Sequence, residues 1–216
     1  RSSDLAPFDL ASEHLSNDEI VGLIQSWLYE EKVAAFNKVL ADPRATLAEV
    51  ADALRRFRSA STEAHRQSRS TLSGLRASLI RRTLSSQTEF IRLARDYVDP
   101  FDFVDLFDHL VVSNQGHGTV GGKSAGLLLA SWILERRRAE DPSLPEVAVP
   151  RTWFLTSDGM IAFIKHNDLE GVVEQKYKEI DHVRQEYPNI VQLFKSSAFP
   201  QEIVKGLSVA LDDLGE

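Results

Sequence analysis

Residues 116–126 read Gly116-His-Gly-Thr-Val-Gly-Gly-Lys-Ser-Ala-Gly126 and run directly into Leu127-Leu-Leu-Ala-Ser-Trp-Ile-Leu134. Four glycines crowd the loop, a lysine follows the last adjacent pair, and the apolar spacing beyond it predicts a helix that begins at that lysine. Backbone amides at a helix start and a positive side chain then face one point, which is an arrangement for holding an anion. Gly121, Gly122, Lys123 and Ser124 are the candidate binding residues. Glycine lets the backbone approach a phosphate closely, and an ammonium suits phosphate as a point charge. A lysine in a first helical turn opposes the helix dipole unless an anion is there.

The spacing does not fit a P-loop. That motif needs a glycine, four free positions, and then Gly-Lys-Ser or Gly-Lys-Thr. Counting back from Gly122-Lys123-Ser124, the first glycine falls at position 117, which is His117, while Gly116 and Gly118 each miss by one. The residues before the loop, 110–115, supply only a short apolar end rather than a buried strand. His117 itself reads as a loop-ordering or solvent-facing residue rather than a chemical participant.

Outward from the loop, the preceding residues read as an all-helical unit over 1–112. Ser16-Asn-Asp-Glu19 and Thr46-Leu-Ala-Glu49 are capping boxes, each opening a helix. Ile20, Leu23, Ile24, Trp27 and Leu28 share one face, and Val33, Phe36, Val39 and Leu40 are expected to continue it until Asp42-Pro43. The second helix carries Val50, Leu54 and Phe57, and a third, long helix is expected from about Leu72 to Tyr97. Asp99-Pro100 then starts a short helix, with Asp99 as cap and Pro100 at its first position. Asp99, Asp102, Asp105 and Asp108 recur every third residue, which capping and exposed-face roles explain more simply than a metal. His14, His65 and His109 are scattered and form no helical metal pair.

Composition closes several routes. The 216 residues are 43% apolar and 26% charged, ordinary for a globular chain long enough to bury a core, and the net charge of −7 argues against a basic nucleic-acid surface. The arginine clusters at 55–56, 81–82 and 136–138 read as solvated helix faces among acidic neighbours. Absence of cysteine excludes disulfides and thiolate chemistry. No run reaches the length of a membrane span, and residues 1–7 lack a signal peptide's apolar core, so the expected location is cytoplasmic. A first residue that is arginine rather than methionine leads to the expectation of a fragment.

Beyond the loop helix, 147–156 reads as extended, with Trp153-Phe-Leu155 as a strand buried on both faces. Ser157 caps a helix over Asp158 to His166, and Val172 to Tyr187 is another, broken at Tyr187-Pro188. Pro200 opens a last helix. The fold class expected is mostly α, with a strand among helices giving the second half α/β character.

Taken together, Gly121-Gly-Lys-Ser-Ala-Gly-Leu127, its helix, Val149-Pro-Arg-Thr-Trp-Phe-Leu-Thr-Ser157 and the closing helix Phe199–Gly215 resemble the start of the nucleotide-binding domain of the pyruvate phosphate dikinase and phosphoenolpyruvate synthase family. There the chain reads Gly-Gly-Lys-Gly-Ala-Asn-Leu, a helix, then Val-Pro-Pro-Gly-Phe-Val-Ile-Thr-Thr. Two departures stand out: Ser124 and Gly126 replace the glycine and asparagine, and Arg151-Thr152-Trp153 replaces Pro-Gly-Phe. The resemblance covers about 116–216 and implies that 113–216 is the first, incomplete part of an ATP-grasp-like lobe. It further implies a parent that uses ATP to phosphorylate a carrier histidine outside this chain, with magnesium held by residues also outside it. The partners implied are a nucleotide and the parent's remaining domains, with no nucleic acid and no membrane, and the fragment alone is expected to be inactive. A helical interaction or regulatory module is the alternative, with its apolar faces used for oligomerisation and no ligand at the glycine loop.

Overall fold

The computed structural model describes residues 14–59, 69–111, 116–147, 149–173 and 177–215, the side chains of 69–71 excepted. His65 and the boundary placed at 112–113 lie outside the described residues. Ten helices and a single pair of strands are described, so the protein is mostly helical.

Helix α1, Asn17–Ala41, and helix α2, Leu47–Ser59, open on the two capping boxes the sequence announces. Ser16 and Glu19 satisfy each other's backbone amides at 3.3 and 2.8 Å, and Thr46 and Glu49 do so at 3.2 and 2.7 Å. The expected single apolar face of α1 does not exist. Its buried residues are Tyr29, Val33, Phe36 and Leu40, whereas Leu23, Trp27 and Leu28 are exposed, Trp27 at 63%. At about 100° per residue the two sets lie on opposite sides of the helix. The carboxyl-terminal half therefore packs inward on α2 through the stack of Phe36 on Phe57, and the amino-terminal half turns its stripe outward.

The long third helix is two. Helix α3, Arg69–Thr83, ends before Leu84–Gln87, and helix α4, Thr88–Ala94, follows. Short polar side chains compete for the backbone at this point: Thr83 Oγ1 donates to the Leu79 carbonyl and Ser85 Oγ accepts from the Gln87 amide. Helix α5, Asp102–Asp108, starts later than Pro100, although Asp99 and Asp102 do cap reciprocally, Asp102 on the Asp99 amide at 2.6 Å and Asp99 on the Phe101 amide at 3.0 Å.

Strand β1, Leu110–Val111, follows, then helix α6, Gly122–Glu140, and strand β2, Phe154–Leu155. The strands pair in parallel, Leu110 with Phe154 and Val111 with Leu155, so β1, α6 and β2 form a small βαβ crossover. The strand expected at 153–155 is shorter and is not buried on both faces: Phe154 is buried and Leu155 is exposed. Phe154 faces the main core and Val111 faces Ile203 and Ala210 on the other side, so only the Leu155 end of that second face is open.

Helix α7, Asp158–His166, matches its expected bounds. A single-turn helix α8, Glu170–Val173, precedes helix α9, Ile180–Ser196, which runs through Pro188 instead of breaking there. No residue of α9 is buried, so the carbonyl that proline leaves without a donor can turn to water. Helix α10, Gln201–Gly215, then packs across β1. There Gly206 meets Val111 so closely that a Cβ would stand 2.6 Å from its Cγ1. One continuous core runs from Tyr29 through Leu54, Leu79, Ile80 and Phe103 to Val120, Ala125, Trp132 and Phe154, so the helical unit and the crossover share a single interior.

Candidate functional site

The glycine loop lies at the junction of the helical unit and the crossover, and both sides hold it. From the helical unit, the Leu47 amide donates to the Gly116 carbonyl at 2.8 Å, and Thr83, whose carbonyl is freed by the end of α3, accepts from the Val120 amide at 2.9 Å. From the crossover side, Ser157 donates its amide to the Thr119 carbonyl at 2.8 Å and accepts the Thr119 amide on its hydroxyl at 3.1 Å. Ser157 therefore stands at the start of α7 as expected, but its side chain serves the loop and not the helix.

Arg82 and His117 form the centre of this junction. Arg82 donates to the Ala45 carbonyl and, at 3.4 Å, to the His117 carbonyl. The His117 ring nitrogen Nδ1 stands 3.1 Å from both the Ala45 carbonyl and an Arg82 terminal nitrogen. With its proton on Nδ1 the ring donates to Ala45; with it on Nε2 the ring accepts from Arg82. Either tautomer ties the ring to the same two residues. The His117 amide donates to Asp158 at 3.1 Å. His117 is thus a loop-ordering residue with an exposed edge.

Each glycine has its own reason. At Gly118 a Cβ would lie 2.7 Å from the Asp158 amide nitrogen, so only glycine lets the loop sit against α7. Gly121 has φ of +81°, which an L side chain rarely adopts, and it precedes α6 without a side-chain cap. A Cβ at Gly122 meets nothing within 4 Å.

The structure brings the four sequence-expected residues together as one uncapped helix start. Gly121 precedes it, and Gly122, Lys123 and Ser124 form the first turn, whose amides have no intrahelical acceptor. No acidic residue lies in that turn. Lys123 is exposed and makes no hydrogen bond or ion pair with the described residues. A free ammonium beside free amides provides donors only, the chemistry a phosphate or another anion completes.

Among the described residues no group of three or more histidine or carboxylate side chains could hold an ion. The aspartates at 102, 105 and 108 diverge: Asp102 pairs with Arg136 at 3.0 Å and Asp108 with Arg55 at 2.6 Å, while the Asp105 carbonyl meets the His109 ring. Burial pushes the Asp102 carboxyl up to about 6 against the pull of its backbone hydrogen bond and of Arg136. The arginine clusters are correspondingly more than solvated faces, since Arg55, Arg82 and Arg136 each tie one element to another.

A cleft of about 260 Å³ lies between α5, α6 and residues 149–154, lined by Asp102, His109, Trp132 and Arg151 among others. It does not include Gly121–Ser124. Exposed amides and an unpaired charge, rather than enclosure, make the helix start the feature suited to an anion. Arg82, Thr83 and Asp158 were not legible as site residues, although Ser85-Ser86-Gln87 signals the helix break that frees Thr83. The buried hydroxyl of Thr156, next to β2, has no hydrogen-bond partner among the described residues.

These features give an exposed glycine-lysine helix start that offers donors only. Residues 117–216 match the family model for the pyruvate phosphate dikinase AMP/ATP-binding domain. No curated protein and no solved structure matches the chain. The matched stretch begins inside the glycine loop, so the helical unit that holds the loop lies outside it.

Proposed function

We propose that Gly121, Gly122, Lys123 and Ser124 hold the phosphates of ATP, as part of a phosphotransferase resembling phosphoenolpyruvate synthase or pyruvate phosphate dikinase. The observation that carries this is Lys123: an unpaired cation in the first turn of a 19-residue helix with no cap, within a stretch that matches an AMP/ATP-binding domain. Against the dipole, such a lysine is unfavourable until an anion arrives. Gly121 presents the backbone, the amides of Gly122, Lys123 and Ser124 donate, and the Lys123 ammonium neutralises charge. When bound, ATP supplies the phosphoryl group, which passes to a carrier histidine outside this chain. The rest of the ATP-grasp-like lobe is also assigned outside it.

Magnesium accompanies phosphoryl transfer of this type in general. The described residues offer it no ligand set, so no step here involves it. Isothermal titration of ATP with magnesium into the protein and into Lys123→Ala tests the reading. Binding that weakens at least about tenfold in the variant is the expected result. Equal affinity of the two proteins removes Lys123 from the site.

A further inference from the structure

The helical unit grips the loop in which the family-model match begins, although the unit itself lies outside the matched stretch. Four ties cross between them. Leu47 donates to Gly116, Thr83 accepts from Val120, Arg82 donates to the His117 carbonyl, and the His117 ring meets Ala45 and Arg82. Three of these engage loop backbone, so they fix φ and ψ over the residues leading to Gly121. Arg82 bridges both sides from the helical unit, because its guanidinium joins the Ala45 turn before α2 to the loop. Its Nε is buried with no partner among the described residues, which hold the guanidinium through its terminal nitrogens.

We propose that Arg82 is a positioning residue for the phosphate loop and that the helical unit is the loop's ordering scaffold. Nucleotide at Lys123 and packing of the 42–47 turn and the end of α3 are then thermodynamically linked. The chemistry is a planar fork donating to two carbonyls on separate segments, which a flexible ammonium does not reproduce. Ordering the loop before a ligand arrives removes that entropic cost from binding. Reciprocity follows: a ligand on the loop must tighten the turn and the end of α3 by the same factor. This rests on the nucleotide reading only for its ligand, since the ordering itself is a property of the free protein.

Amide hydrogen exchange separates the two. In nucleotide-free protein, Arg82→Ala is expected to speed exchange at 116–121 about tenfold while the core of α1 at 33–40 is unchanged. Arg82→Lys, the gentler variant, is expected to fall between the two, keeping charge and losing the fork. Unchanged loop exchange in both variants overturns the proposal. So does an increase spread equally over α1 and α2, which makes Arg82 a general brace. Titration with ATP and magnesium then reads the linkage: affinity in Arg82→Ala is expected to fall about tenfold, and in wild type protection is expected to rise at Ala45–Leu47 as well as at the loop. Wild type that binds no ATP defeats the nucleotide reading, while the nucleotide-free exchange still decides the scaffold.

Discussion

The indole nitrogen of Trp153 donates to the Asp213 carboxylate at 2.8 Å, and Arg151 donates to the same residue's main-chain carbonyl at 2.8 Å and to its carboxylate. These are two of the three residues that depart from the family's Pro-Gly-Phe. Both departures meet one aspartate on α10, so they form a lock that fastens that helix across β1 rather than an isolated change in a turn. The carboxylate is three-quarters covered, which makes its hydrogen bonds matter. Asp213→Ala should cost about 2 kcal/mol in urea denaturation, because a half-buried indole donor and a guanidinium lose their acceptor together. Arg151→Ala, which leaves the Trp153 bond in place, should cost less than half of that. Equal costs would show that the indole contributes nothing.

Two glycines of the loop should respond in opposite ways. Gly118→Ala drives a methyl into the Asp158 amide and should destabilise by about 1–3 kcal/mol. Gly122→Ala has open space and a helical position, and should stabilise by about 0.5–1 kcal/mol while weakening ATP. Thermal melts with and without nucleotide check both.

The sign of the pH dependence around Asp102 follows from burial. Its carboxyl is raised from 3.8 to about 6 in the folded protein, so the native state binds the proton more tightly than the unfolded chain. The stabilisation from this group is complete below pH 3.8 and is lost as pH rises through about 6, a decline on the order of 2 kcal/mol. Asp102→Asn should flatten that slope in urea midpoints measured between pH 4 and about 6.5. Glu19 and Glu49 act with the opposite sign: capping hydrogen bonds hold them below 4.5, and their contribution is lost as pH falls through their lowered folded-state values.

Helix α1 offers a paired comparison. Trp27→Ser lies on the outward stripe and should shift stability by less than about 0.5 kcal/mol. Phe36→Ala, one face round, empties a site that is 2% exposed and stacked on Phe57, and should cost about 3–5 kcal/mol. Chemical denaturation of the two variants suffices.

The capping boxes, the glycine-lysine helix start and the bounds of α7 were legible because each rests on local hydrogen bonds between residues three apart or on one backbone conformation. What was not legible depended on partners distant in sequence. The two stripes of α1 share one helical pattern, and only the position of α2 shows which is inside. Pro188 is tolerated because nothing packs over it, a fact about α9's surroundings and not its sequence. Leu155 reads as core by composition, yet the helix that buries its neighbour Val111 on the same face does not extend over it. Within the site, Lys123 was named from its own neighbours. Arg82 was hidden in an ordinary basic pair because its acceptors, Ala45 and His117, are reached only through the fold.

The parallel pairing of Leu110 with Phe154 also sets an order of events during folding. Its two strands meet only after the whole of α6 has been traversed, so the chain closes a long loop before that contact repays it. The contacts between α1 and α2, joined by the short 42–46 turn, span a shorter stretch and can form first. A nascent chain would then present the end of α3 and the 42–47 turn as a finished template, against which the glycine loop is laid before the strands zip. Slow steps in refolding should accordingly belong to strand closure, and the anion site should be among the last parts of the molecule to mature.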